Sequence, residues 1–178
     1  MTELFAQVEG ADDASPLVLG NSLGTTFSMW DPQVRALARR FHVIRYDHRG
    51  HGRSPVPPGP YEIDDFADDV IELLDRLAIA TASYCGLSIG GMVGITLAAR
   101  HPDRIDRLVV CCSSAHMPPA SNWQERAAAV AAAGSVAAVA DTVVERWLTP
   151  EYAAAHPEVL ERLRTMLAAS PPDGYSAA

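Results

Sequence analysis

With 178 residues, 48 % of them hydrophobic and 20 % charged, the chain is long enough to bury the core of one ordinary soluble domain. A formal net charge of −8 argues against a nucleic-acid surface, although a local arginine can still bind a small anion. No run approaches the roughly 20 apolar residues of a membrane helix, and the N-terminal MTELFAQVEGADD carries acids where a signal peptide carries bases.

PLVLG (16–20) reads as a buried strand, and Pro32 to Arg40 as a helix with Val34, Leu37 and Ala38 on one face. HVIRYD (42–47) is the next strand, and the glycine- and proline-rich RGHGRSPVPPGP (49–60) is loop. An amphipathic helix follows, with Phe66, Val70, Leu73, Leu74 and Leu77 as its stripe. Asp64 is its expected N-cap, and Asp65, Asp68 and Asp69 suit the positive end of the helix dipole. ASYCG (82–86) is strand, Ile89 to Arg100 helix, and RLVVCC (107–112) strand. This alternation, with continuously apolar strands, predicts an α/β protein whose mostly parallel sheet carries helices on both faces.

From about His116 strand signals give way to alanine-rich helices over Gln124–Ala133, Val136–Trp147 and Pro157–Ala169, punctuated by Gly134, Pro150 and Pro157. The expected organisation is therefore a core over 1–115 and a helical lid over 116–178, with no return to the sheet. Cys85, Cys111 and Cys112 fall in apolar runs without metal-ligand spacing, and adjacent cysteines make a poor disulfide. Buried, reduced thiols and a cytoplasmic location are expected.

Gly86-Leu87-Ser88-Ile89-Gly90 stands between a predicted strand and a predicted helix. G-x-S-x-G in that setting is a nucleophile elbow: the serine turns sharply clear of the sheet, and its neighbours must lack colliding side chains. Gly86 and Gly90 meet that need, and Gly91 and Gly94 let the helix approach closely. The helix N-terminus would aim free N–H groups at developing negative charge. The alternative is an ordinary glycine-rich turn with Ser88 as N-cap. After PLVLG, the loop NSLGTT leads to Trp30, and the backbone N–H groups of Ser22 and Ile89 are the candidate oxyanion donors. That loop alone is equally well read as a strand–helix corner. In YDHRGHGRS, His48 and His51 lack a third zinc ligand nearby. Asp47 there suits a loop-structuring network with Arg49 and Ser54 better than a catalytic acid.

NSLGTTFSMW, YDHRGHGRS and GLSIGG, in this order and spacing, resemble an α/β-hydrolase. The later SSAHMPPASNWQERAAAV, VVERWLTPEYAAAHPEVL and DGY resemble the lid of the 3-oxoadipate enol-lactonases of aromatic catabolism in the β-ketoadipate pathway. The resemblance covers the whole chain; the first three motifs are specific only to the superfamily. It implies that Ser88 is the nucleophile and that Ser22 and Ile89 hold the oxyanion. It further implies a small enol-lactone bearing a carboxylate as substrate, with no cofactor or metal. For that carboxylate the lid offers Arg146 beside Trp147, unless Arg146 is simply a solvated helix residue. In the family the triad acid and histidine follow the lid, where this chain has no counterpart. None of His42, His48, His51, His101, His116 or His156 matches, and His116 suits a lid hinge. The C-terminal strands of the family, too, are expected to be absent from this chain. Three alternatives remain at this point. They are a general carboxylesterase, a C–C hydrolase of the same fold, and a non-catalytic fragment whose sheet a second chain or dimer mate completes.

Overall fold

The computed structural model describes residues 2–117 and 119–178. Strands β1 (Ala6–Glu9), β2 (Ser15–Gly20), β3 (Phe41–Tyr46), β4 (Ala82–Leu87) and β5 (Ile105–Cys111) form one sheet in the order β1-β3-β2-β4-β5. All neighbours are parallel except β1, which runs antiparallel to β3 with Val8 opposite Ile44. The four strands expected from sequence are present, and β1 is an addition. With only four residues, AQVE, and Val8 exposed at the edge, it shows no apolar run to detect.

Strand alternation sorts the core into two layers. Val18, Ile44, Tyr46 and Tyr84 face α2 (Ile63–Arg76) and α3 (Ile89–Arg100), where Phe66, Val70, Leu73, Leu74, Val93 and Leu97 are buried. Leu17, Leu19 and Val43 face α1 (Asp31–Leu37), packing on Trp30, Val34 and Leu37. Each such fully buried side chain contributes about 1.5–3 kcal/mol. Helices thus cover both faces, as in the α/β-hydrolase fold.

The start of α2 differs from expectation. The N-cap is Glu62, not Asp64, and the Glu62 N–H donates to the Asp65 carboxylate at 2.8 Å. A carboxylate at the third helical position reaches back to the cap N–H, which Asp64 cannot do from within the first turn; Asp64 pairs instead with Arg100 at 3.1 Å. Asp69 is buried, accepting two bonds from Arg49 at 2.6 and 2.7 Å.

Beyond β5 the described residues form helices α4 (Ala120–Ala133), α5 (Ala137–Val144), α6 (Pro150–Ala155), α7 (Pro157–Ala168) and α8 (Pro172–Ala177), and no strand. Val130, Val136, Val143, Val144, Leu167 and Tyr175 make their own small core. Gly134, at φ 62°, ends α4 in the left-handed conformation. The helix expected over Val136–Trp147 stops at Val144, so Arg146 and Trp147 lie in the following turn. Neither α6 nor α8 was expected, each being a six-residue helix opened by a proline in its first turn. α8 returns to the strand-bearing part: Gly174 lies against Gly50, and the Tyr61 N–H donates to the Ala177 carbonyl at 2.6 Å.

Among the described residues β5 pairs only with β4, and its Val109 and Val110 are 53 % and 39 % exposed. Because successive strand residues face opposite ways, this edge exposes side chains on both faces, although α3 packs on Leu108 through Gly94. The cysteines depart from expectation here. Cys85 and Cys111 are half-buried, while Cys112, just past the end of β5 at φ 46°, is exposed. All three are free thiols, and burial together with neighbouring Cys111 pushes Cys85 up to about 11.

Candidate active site

Between β4 and α3 the chain reverses within one residue. Ser88 adopts φ 57°, ψ −119°, a conformation that side chains disfavour and that persists only where the surroundings hold it. Several bonds do so. The Ser88 N–H donates to the Cys111 carbonyl at 3.0 Å, and its own carbonyl accepts from the Ser113 hydroxyl at 2.6 Å and the Gly91 N–H at 2.8 Å. The flanking glycines are steric necessities. A methyl group on Gly86 would lie 2.1 Å from the Gly90 carbonyl oxygen, and one on Gly90 would lie 2.5 Å from the Gly20 carbonyl carbon. Gly91 is pressed against Ser113, and Gly94 against Leu108 and Tyr84, so α3 sits close on β4 and β5.

Ser88 opens into a cavity of about 410 Å³ under the helices that follow β5. Ser22, Thr25 and Met29 line one wall; Trp123, Arg126, Arg146, Trp147 and Leu163 form much of the opposite one. The Ser22 N–H points at the Met29 thioether, 3.4 Å away, a weak acceptor that an oxyanion would readily displace. Ile89 is the first residue of α3, and among the described residues its N–H has no acceptor. The structure thus brings Ser88, Ser22, Arg146 and Trp147 to one cavity, with Ile89 at the elbow beside them.

Arg126 escaped the sequence reading. It is half-buried on α4, its guanidinium 4.3 Å from the centre of the Trp123 ring and within 3.4 Å of the Tyr175 hydroxyl. Trp and Arg three apart on one helix face were the available signal, since that spacing lets a cation stack on a ring.

The polar loop after β3 is a scaffold. Asp47 accepts the Phe27 N–H at 2.7 Å and the Arg53 N–H at 2.9 Å, and burial raises its carboxyl. The Ser54 hydroxyl donates to the Asp47 carbonyl, but Arg49 does not join them; it is drawn away to Asp69 and stacks near Tyr61. Among the described residues no three His, Cys, Asp or Glu side chains converge as a cation site requires. The cavity lining contains no His, Asp or Glu among those residues, and His116 is exposed outside it.

His48 and His51 are buried side by side, ring centres 6.1 Å apart. Burial, with the neighbouring imidazole, pushes His48 down from 6.5 to about 3. The unfolded chain takes up this proton near its ordinary value while the folded chain does not. Stability present above about pH 6.5 is therefore lost as pH falls towards 3, by about 1.4 kcal/mol per pH unit. Urea denaturation at about pH 5 is expected to give a free energy about 2 kcal/mol below that at about pH 7 from His48 alone. His48→Gln should remove most of that difference; an unchanged pH slope in the variant would refute the assignment.

Comparison with known proteins agrees with the fold. A sequence profile of the alpha/beta hydrolase fold matches residues 15–164. The chain is 41 % identical over 168 residues to 3-oxoadipate enol-lactonase 2 of Acinetobacter baylyi, covering 94 % of this chain and 62 % of that protein. It is 35 % identical to 3-oxoadipate enol-lactonase 1 of the same organism, covering 98 % of this chain and 65 % of the relative. The crystal structure of the enol-lactonase from Burkholderia xenovorans LB400 superposes with a TM-score of 0.96 at 44 % identity, over 99 % of this chain and 68 % of that one. The chain thus spans slightly less than two thirds of the curated relatives' length.

Proposed function

Because the chain belongs to the α/β-hydrolase fold family, we propose that it carries the nucleophile and oxyanion site of a serine hydrolase that opens a carboxylate-bearing enol-lactone, 3-oxoadipate enol-lactone. One observation carries the reading: Ser88, held at φ 57°, opens into a cavity whose far wall holds two arginines and two tryptophans. A strained serine suits attack on a carbonyl, and paired cations on an aromatic wall suit a small planar anion.

Ser88 Oγ bonds to the lactone carbonyl carbon as its proton passes to a base. The Ser22 and Ile89 N–H groups receive the oxyanion, each contributing about 3–4 kcal/mol. Collapse of the tetrahedral intermediate breaks the bond to the ring oxygen. The leaving enolate takes up a proton and becomes a ketone, and water then releases the acyl group from Ser88. Arg126, stacked on Trp123, and Arg146, beside Trp147, bind the substrate carboxylate. The base itself is supplied from outside the cavity wall formed here, by a segment that pairs with the open β5 edge. Val109 and Val110, exposed on opposite faces of that edge, support such an addition.

The test compares turnover of the enol-lactone with that of a simple aryl ester, before and after Ser88→Ala. Preference for the lactone is expected, with turnover in the variant falling to the slow background that an oxyanion site alone supports. Preference for the aryl ester would make the protein a general carboxylesterase; turnover undiminished in Ser88→Ala would remove the serine mechanism.

A further inference from the structure

We infer that His48 is a positioning residue for the oxyanion site: through its Nε2–H it holds the carbonyl of the Asn21–Ser22 peptide, and thereby aims the N–H of Ser22. The inference rests on reading that N–H as an oxyanion donor.

His48 Nε2 lies 3.1 Å from the Asn21 carbonyl oxygen, and both residues are buried. A carbonyl can only accept, so the ring carries its proton on Nε2 and leaves Nδ1 as a bare lone pair. Nδ1 indeed has no partner among the described residues. The rings of Tyr46 and Phe66 meet the imidazole edge-on, with centres 5.0 and 5.4 Å away. A phenyl ring would fill this aromatic box with no orphaned nitrogen, whereas an unpaired buried acceptor is costly. What the imidazole adds over a phenyl ring is the bond to Asn21.

That bond reaches the site because a trans peptide is planar, with C=O and N–H pointing in opposite directions. Drawing the Asn21 carbonyl inward to His48 turns the Ser22 N–H outward, towards the cavity that Ser22 lines. The same carbonyl accepts the Gly90 N–H at 3.0 Å, which ties it to the first turn of α3, next to Ile89. Two donors on one carbonyl also polarise the amide and strengthen its N–H as a donor. The Asn21 side chain completes the clamp, donating to the Tyr46 carbonyl at 2.5 Å and accepting the Trp30 indole N–H at 3.0 Å.

NMR of the isotope-labelled chain tests this without needing turnover. Wild-type His48 is expected to show a proton on Nε2 and a bare Nδ1 between about pH 5 and about pH 8. In His48→Phe the Asn21 carbonyl carbon and Ser22 amide nitrogen resonances should shift. In His48→Gln, whose amide nitrogen can occupy the place of Nε2, they should return towards wild type. Lactone turnover, measured with a complementing polypeptide, should fall about tenfold in kcat for His48→Phe with KM nearly constant, less than outright loss of a donor causes. His48→Gln should recover most of that loss. A proton on Nδ1, or Ser22 resonances unmoved in His48→Phe, overturns the inference. The first is read on the wild-type chain and stands even if a variant fails to fold. NMR as expected with kcat unchanged would instead overturn the underlying reading, since the peptide would be held without serving as an oxyanion donor.

Discussion

Assayed alone on the enol-lactone, the chain is expected to fall about 10⁶-fold short of its turnover in the presence of a second polypeptide spanning the part of an enol-lactonase relative that it does not match. A serine hydroxyl is a weak nucleophile until a base accepts its proton. Among the described residues the cavity lining offers Ser88 no His, Asp or Glu. The buried imidazoles cannot serve: His48 is committed to Asn21, and His51 Nδ1 lies 2.8 Å from the Arg49 carbonyl. An oxyanion site alone still leaves about 10³–10⁴ over the uncatalysed reaction, so a slow background that survives Ser88→Ala should be measurable. The measurement is steady-state hydrolysis with and without the second polypeptide. Turnover by the isolated chain within about tenfold of the mixture would mean that an acid–base pair lies within these residues after all.

Gly90→Ala is expected to lower stability by about 3 kcal/mol and to remove most turnover. The added methyl would stand 2.5 Å from the Gly20 carbonyl carbon and 2.8 Å from the Asn21 carbonyl oxygen. Both are backbone atoms and cannot rotate aside. α3 would have to back away from β2, stretching the Gly90 N–H bond to Asn21 and shifting the peptide that presents the Ser22 N–H. Gly134→Ala is the control. At φ 62° it carries conformational strain of about 1 kcal/mol, but its methyl would meet nothing within 4 Å. Urea denaturation of both variants separates steric from conformational cost, and equal losses would contradict the close approach at Gly90.

The elements around Ser88 were legible because their signals are local. The apolar runs of β2 to β5, the stripe on α2 and the glycines of the elbow each lie within a dozen residues. What escaped was decided across the chain. β1 is a strand because Ala6–Glu9 finds β3 some 36 residues on, between Glu9 and Arg45. Arg49 passes over Asp47 for Asp69, a helix away in sequence. α8 is shaped by Gly50 and Tyr61, more than 110 residues earlier, and no local pattern announces it. At the site, Arg146 drew attention through its neighbour Trp147, whereas Arg126 required the Trp123 spacing to be read on a helix. Cys112 looked buried because its run is apolar, but it lies just past the end of β5, the edge strand whose Val109 and Val110 are exposed.

The return of α8 to the Gly50 loop changes how the cavity can open. A cap joined to its base at one end swings as a flap; this one is footed at both, by the segment leaving β5 and by Tyr61 gripping Ala177, and so behaves as an arch. Tyr175 deepens the second footing, for it is buried in the helical core against Gly24, at the margin of the loop that carries Ser22. Whole-body rotation would break both footings at once. Passage to Ser88 therefore falls to smaller excursions of the span between them, where α5 gives way to the turn bearing Arg146 and Trp147. The arch and its abutment should accordingly melt together, as one cooperative unit, while hydrogen exchange stays fastest along that span.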